Sequence, residues 1–178
     1  MGALELDAGP CTLRPWHPAD ADSLVHHANN RKVWLNMRDG FPHPYTQSDA
    51  LDWIARARAA RPVTSFAIVI ANQVVGSIGF ELRSDIERFS AEVGYWLGEE
   101  FWGRGIATAA LKTATAYALQ TYKLNRIYAL PFSENRASIR VLEKSGYRRE
   151  GVLRLSVFKN GQFLDQALYA FIAHRRPE

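Results

Sequence analysis

Gly103 and Gly105 sit where the chain has the means to hold a phosphate. The segment Glu99-Glu100-Phe101-Trp102-Gly103-Arg104-Gly105-Ile106-Ala107-Thr108 joins a strand-like run, 89–97, to a helix-like one. In that helix-like run Ala107, Ala110, Leu111, Ala114, Tyr117 and Ala118 recur at amphipathic spacing. Glycine adopts backbone angles that other residues avoid and lets a ligand come close to the main chain. The first amides of the helix have no internal partner and lie at the positive end of its dipole. A strand, a glycine turn and a helix in that order make an anion site. The loop lacks the Gly-Lys-Ser/Thr closure of a nucleotide-triphosphate loop, since Ile106-Ala107 follows Gly105. It also lacks the third glycine and early position of a dinucleotide fold. Arg104 can add charge toward a phosphate, and Arg136 and Arg140 lie one helical turn apart on a common face.

The elements that must position this loop can be read in order. Cys11–Trp16 is a short strand that Pro15 places at an edge or ends. Pro18 and the acids behind it open a helix to about Asn30; Asn36–Tyr45, with Gly40, Pro42 and Pro44, is a loop. Thr46 and Asp49 resemble a capping box for a helix that Pro62 stops. The period then falls to two: Ser65–Ile70, a turn at Asn72-Gln73, Val74–Leu82 and Phe89–Leu97 read as an antiparallel meander. After the glycine loop and its helix, Asn125–Leu130 is a strand that runs parallel if the helix is a crossover. Asn135 caps a helix that Gly146 ends, and Lys159-Asn160-Gly161 turns a final hairpin. The expectation is a single domain over residues 1–178.

The chain has 178 residues and a formal net charge of +4. A modest positive charge suits an anionic ligand, and the scattered basic residues argue against a nucleic-acid stripe. Cys11 is the only cysteine, which excludes an internal disulfide and a cysteine-based zinc site, so no metal is expected. No signal peptide, membrane span or myristoylation pattern is read, and the expected location is cytoplasmic.

The segment Trp102-Gly103-Arg104-Gly105-Ile106-Ala107 resembles the acetyl-CoA loop, Gln/Arg-x-x-Gly-x-Gly/Ala, of the GNAT superfamily of N-acetyltransferases. Its Trp-Gly-x-Gly-x-Ala form is similar to the RimJ/RimL-type branch, which acetylates the N-termini of ribosomal proteins. Asn135-Arg136-Ala137-Ser138 through Gly146-Tyr147 is similar to that family's second block. The resemblance implies an α+β GNAT fold: one mixed, mostly antiparallel sheet flanked by helices, with a β-α crossover after the loop. It implies acetyl-CoA as co-substrate, its pyrophosphate on the amides of Gly103, Arg104, Gly105, Ile106, Ala107 and Thr108. The pantetheine arm would run along Tyr95, Trp96 and Leu97, and Asn135 would bond it.

The tyrosine that many members use to protonate the leaving thiolate falls on Leu142, which leaves Ser138 as the candidate. A glutamate that some relatives use as base falls on Val157, and Glu92 is the substitute, against a plain outward-facing sheet residue. The loop 36–45, the second helix and the turn 159–161 would wall the acceptor groove, with Trp34, Phe41, Tyr45, Trp53 and Phe158 as candidate lining. The acceptor implied is the α-amine of a peptide or protein. A small amine (polyamine, aminoglycoside or amino acid) and a non-catalytic acyl-CoA-binding module stay open. So does a homodimer.

Overall fold

The apolar runs Ser65-Phe66-Ala67-Ile68-Val69-Ile70 and Val74–Phe80 have no polar face, the pattern of strands buried on both sides. In the computed structural model, which describes residues 4–173, they are central strands of an eight-stranded sheet. The strands are β1 (Leu6–Asp7), β2 (Thr12–Arg14), β3 (Ser65–Ile70), β4 (Gln73–Leu82), β5 (Ser90–Leu97), β6 (Arg126–Ala129), β7 (Arg148–Lys159) and β8 (Gln162–Ile172). The helices are α1 (Ala21–Ala28), α2 (Arg31–Trp34), α3 (Gln47–Ala59), α4 (Ile106–Thr121) and α5 (Arg136–Lys144). The sheet order is β1-β2-β3-β4-β5-β6-β8-β7, and every pair is antiparallel except β5 with β6. The α+β GNAT architecture expected from the sequence is present, with α4 as the crossover.

Side chains divide between two cores. Phe66 and Ile68 join Leu111, Ile127 and Leu142 on the face covered by α4 and α5. Ala67 and Val69 join Leu24, Tyr45 and Ile54 on the face covered by α1 and α3. Helix α4 buries Ile106, Ala110, Leu111, Ala114 and Ala118, as its spacing predicts. The Thr46–Asp49 capping box forms, with Thr46 N–H donating to Asp49 Oδ2 at 2.8 Å and Asp49 N–H to Thr46 Oγ1 at 3.3 Å. Gly146, at φ +88°, takes the left-handed conformation just past α5.

Two details differ from the sequence reading. The first helix breaks after Ala28, and Asn30 starts the short α2 by accepting from the amides of Lys32 and Val33. The opening strand is shorter than read, Thr12–Arg14: of the two roles open to Pro15 it takes the second, ending the strand, while β1 pairs with the strand's outer side. Cys11 is buried, which pushes its thiol up to about 11 and fits an inert cysteine. Among the described residues no helix is long and apolar enough to cross a membrane.

Candidate active site

One irregularity of the sheet defines the site. β4 pairs with β5 along β5's length, to Leu97, whereas β6 pairs with it only from Ser90 to Glu92. Beyond Glu92 the two parallel strands part. Among the described residues the stretch from Val93 to Leu97 therefore has no strand neighbour on that side, and its main chain can bond an extended ligand as a further strand would. Such openings at the carboxyl ends of parallel strands are where α/β sheets take their ligands.

The glycine loop closes the end of this opening. Gly103 and Gly105 have φ of +74° and +76°, angles that side-chain-bearing residues rarely adopt. Among the described residues, chain neighbours aside, no atom lies within 4 Å of where a Cβ would stand on either, so the demand for glycine is conformational. Gly105 is the N-cap of α4 and brings no side chain to cap it; its carbonyl accepts from Ala109 N–H at 3.0 Å, starting the helical ladder. The amides of Ile106, Ala107 and Thr108 thus precede the ladder and are available to an anion. Trp102 anchors the loop, donating from Nε1 to Leu97 O at 2.7 Å. Arg104 is exposed, with its guanidinium 5.4 Å from the Phe101 ring centroid.

Helix α5 supplies the second wall. Asn135 caps it, its side chain accepting from Ser138 N–H at 3.1 Å. Ser138 Oγ is 2.9 Å from Tyr95 OH on β5, which also lies 3.2 Å from Ser138 O. Burial pushes the Tyr95 phenol up to about 12, opposed by its bond to Ser138, so the phenol stays protonated and can donate at neutral pH. The sequence reading links Tyr95 and Ser138 to one ligand but not to each other; the structure brings them into contact.

Glu92 points the other way, as strand alternation requires of residues 92 and 95. It is not the outward-facing residue of the alternative reading, because only 8% of it is exposed. Arg83 Nη2 donates to Glu92 Oε2 at 2.8 Å, and Arg38, from the loop before α3, pairs with Oε1. Arg83 Nε also donates to Tyr128 OH at 2.8 Å and Nη1 to Glu81 Oε1 at 2.7 Å. Tyr128 is the register partner of Glu92 on β6, and Glu81 its partner on β4. Burial raises the Glu92 pKa above the ordinary carboxylate value, and the two guanidiniums only partly offset it. A raised carboxylate pKa is the direction a general base near neutrality needs. Ser138 and Glu92 therefore have separate partners on opposite faces of β5.

The turn 159–161 does meet the loop 36–45. Lys159 is buried, its Nζ 2.9 Å from Asp39 Oδ1 and 3.9 Å from the Trp34 ring centroid. Phe41 lies edge-on to Trp96, with ring centroids 5.6 Å apart. Tyr45 is core, whereas Phe158 is exposed beside Phe163. Val157 lies in β7 and Leu142 is fully buried, so neither offers a proton-transfer group. Arg38, Arg83 and Tyr128 escape sequence reading. The antiparallel hairpin of β4 and β5 would have suggested the Glu81–Glu92 pairing, but nothing local announces the arginines.

Comparison with known proteins identifies the family. The family model for the acetyltransferase (GNAT) domain matches residues 11–148. The ribosomal-protein-serine acetyltransferase of Escherichia coli is 32% identical over 107 residues, 60% of this chain and 59% of that protein. The spermidine N(1)-acetyltransferase of the same organism is 27% identical over 167 residues, 92% and 86% of the two chains. Among solved structures, Mycobacterium smegmatis RimJ in complex with CoA-disulfide is 28% identical, with TM-score 0.82 over 99% of this chain and 88% of that one.

Proposed function

The chain belongs to the GNAT acetyltransferase family, and we propose that it transfers acetyl from acetyl-CoA to the α-amine of a peptide or protein. The observation that carries this reading is the parting of β5 from β6 beside a positive-φ glycine loop. The amides from Gly103 to Thr108 receive the pyrophosphate. The open edge beside Tyr95, Trp96 and Leu97 receives the amide-bearing arm, with Asn135 at its flank and the Leu97 carbonyl already held by Trp102. In this reading the thioester lies where β5 and β6 part, between α5 on one face and the loop 36–45 on the other. The amine nitrogen attacks the thioester carbonyl from the Glu92 side, and the carbon–sulfur bond breaks toward Ser138. Glu92 takes the proton the nitrogen sheds. Ser138, polarised by Tyr95, supplies a hydrogen bond or relayed proton to the thiolate.

A ribosomal-type substrate is favoured by the similarity to the ribosomal-protein-serine acetyltransferase. A polyamine is the second reading, favoured by the similarity to the spermidine enzyme. The charges beside the opening speak for the first. Glu81 and Glu92 are matched by Arg38 and Arg83, leaving no surplus negative charge for a polycation. We read residues 1–178 as one catalytic domain, since every strand among the described residues joins one sheet.

The test is CoA release with alanine- or serine-starting peptides against spermidine, beside calorimetric titration with acetyl-CoA. Turnover with peptides alone is the expected result. Turnover with spermidine alone selects the second reading, and binding without turnover on any amine selects a silent acyl-CoA-binding module.

A further inference from the structure

A second cluster of polar side chains lies where α1 meets the turn Glu99–Phe101 that leads into the glycine loop. We propose that His26, His27 and Glu100 form a site for a divalent transition-metal ion, zinc in its ligand chemistry. His26 Nε2 is 3.5 Å and His27 Nδ1 3.8 Å from the same oxygen, Glu100 Oε1. All three donor atoms lie within 4.8 Å of one another. Donors about 2.0–2.1 Å from a tetrahedral zinc are roughly 3.4 Å apart, so two edges of the triangle stand near the bound distance already. No other group of three such side chains meets this spacing among the described residues.

The two imidazole centroids are 4.7 Å apart, and one divalent cation satisfies two neutral imidazoles and a carboxylate together. The donor set also selects the ion. Two nitrogens and one oxygen suit zinc, nickel or copper, while magnesium and calcium need shells of oxygen.

The site is part rigid and part adaptable. The His27 side chain is 6% exposed, set against Gly98 and edge-on to Phe101 at 5.4 Å between centroids. A Cβ on Gly98 would stand 2.8 Å from His27 Nδ1, so glycine keeps that nitrogen's surroundings clear. The side chains of His26 and Glu100 are 70% and 61% exposed and can close the remaining distance by rotation. A cleft of about 330 Å³ beside them, with Asp22 and Gln73 on its wall, leaves room for a water as fourth ligand. Asn30 donates to Glu99 Oε2 at 2.8 Å and Lys32 pairs with Oε1, so the same turn is tied to α2 by its neighbouring acid. The ion would act as a strut between α1 and the base of the loop. Sequence reading anticipates no metal from the single cysteine; an adjacent His-His pair and a glutamate distant in the chain carry no ligand spacing until the fold joins them.

The experiment titrates chelator-treated protein with zinc chloride in competition with a chromogenic chelator, and follows Tm with and without the ion. The native chain is expected to take up one zinc with micromolar affinity and to gain thermal stability from it. His26→Ala and Glu100→Gln should each weaken uptake at least about tenfold and abolish the gain, with the metal-free Tm unchanged. Magnesium should not compete. Absence of saturable uptake below about 100 µM overturns the site, as does uptake that both variants leave intact, which would assign the ion to His17, His43 or His174 instead. No acetyl donor or acceptor enters this assay, so its result is independent of the proposed reaction.

Discussion

The two faces of β5 are built on different principles. Toward α4 and α5 the opening is made of main chain: two positive-φ glycines, the first amides of α4, and a strand edge whose side chains are free to pack elsewhere. Toward α1 and α3 it is made of long side chains from four separate segments, with Arg38, Arg83, Glu92 and Tyr128 meeting through hydrogen bonds and charge. A backbone site tolerates almost any residue that preserves its torsions, and it serves a group that never varies. A side-chain site changes with one substitution, as a surface for variable acceptors must. The comparison predicts that damage to the main-chain loop abolishes acetyl-CoA binding, and that damage on the second face leaves that binding and retunes the reaction.

The largest effect is expected at Gly105. Gly105→Glu sets a β-carbon in a left-handed conformation and a carboxylate where the pyrophosphate is proposed to lie. Acetyl-CoA binding should weaken more than about a hundredfold by calorimetry, with about 1–2 kcal/mol of folding stability lost to the backbone strain. Gly105→Ala separates the two causes. Its Cβ meets nothing within 4 Å, so it carries the strain without the charge and should bind within about tenfold of the native chain. Equal losses in the two variants would show that conformation alone, and not an anion site, explains the glycine.

Ser138→Ala comes next, and here the expected loss is in kcat. Removing the hydroxyl should slow turnover about 10- to 100-fold while acetyl-CoA affinity changes less than about threefold. Tyr95→Phe sharpens the assignment. If Tyr95 only polarises Ser138, it should cost about tenfold, and the double variant should be no slower than Ser138→Ala. An unchanged rate in Ser138→Ala would remove the serine from the chemistry and leave Tyr95 to be tested as the donor.

This difference in construction also explains what could be read from the sequence. The glycine loop, the α4 stripe, the Asn135 cap, the Thr46–Asp49 box and the Lys159–Gly161 turn are fixed by residues within one or two turns of each other. Their chemistry is local, and the structure contains each of them. The Glu92 network depends on β5–β6 register and on a loop that crosses over the sheet, bringing Arg38 to a residue 54 positions away. The burial of Glu92 is equally non-local: alternation gives its face but not that Arg38 and Arg83 close over it. His26, His27 and Glu100 belong to the same class. Local sequence specifies backbone geometry; long charged side chains find partners that only the assembled sheet defines.

On the second face, Glu92→Gln should lower kcat/KM at least about tenfold and erase the acid limb of its pH profile if Glu92 receives the amine proton. Stability should move little, about 1 kcal/mol or less, because Arg83 and Arg38 are 26% and 66% exposed and can turn to water when their partner is neutral. The sign with pH is fixed by the raised carboxyl. Its contribution to folding is complete below the ordinary value of 4.5 and is lost as pH rises through the folded value. The Tm of Glu92→Gln relative to the native chain should therefore improve from pH 4 toward neutrality. A constant difference would mean that the two guanidiniums fully offset the burial.

The smallest effect is expected at Arg38, and it tests whether this face retunes rather than abolishes. Arg38 holds one oxygen of Glu92 from a largely exposed loop position, so Arg38→Ala removes a positive neighbour without opening the core. With less positive charge nearby, the Glu92 carboxyl should rise further, moving the acid limb of kcat/KM to higher pH while the limiting rate stays within about threefold. The charge balance should change as well. Glu81 and Glu92 would then face Arg83 alone, and the surplus negative charge should lower KM for spermidine relative to a peptide amine. Acetyl-CoA affinity should be untouched, since its proposed grip is main chain on the far side of the strand. A loss of acetyl-CoA binding in Arg38→Ala would show that the two faces of β5 are one site, and the division argued from their construction would fall.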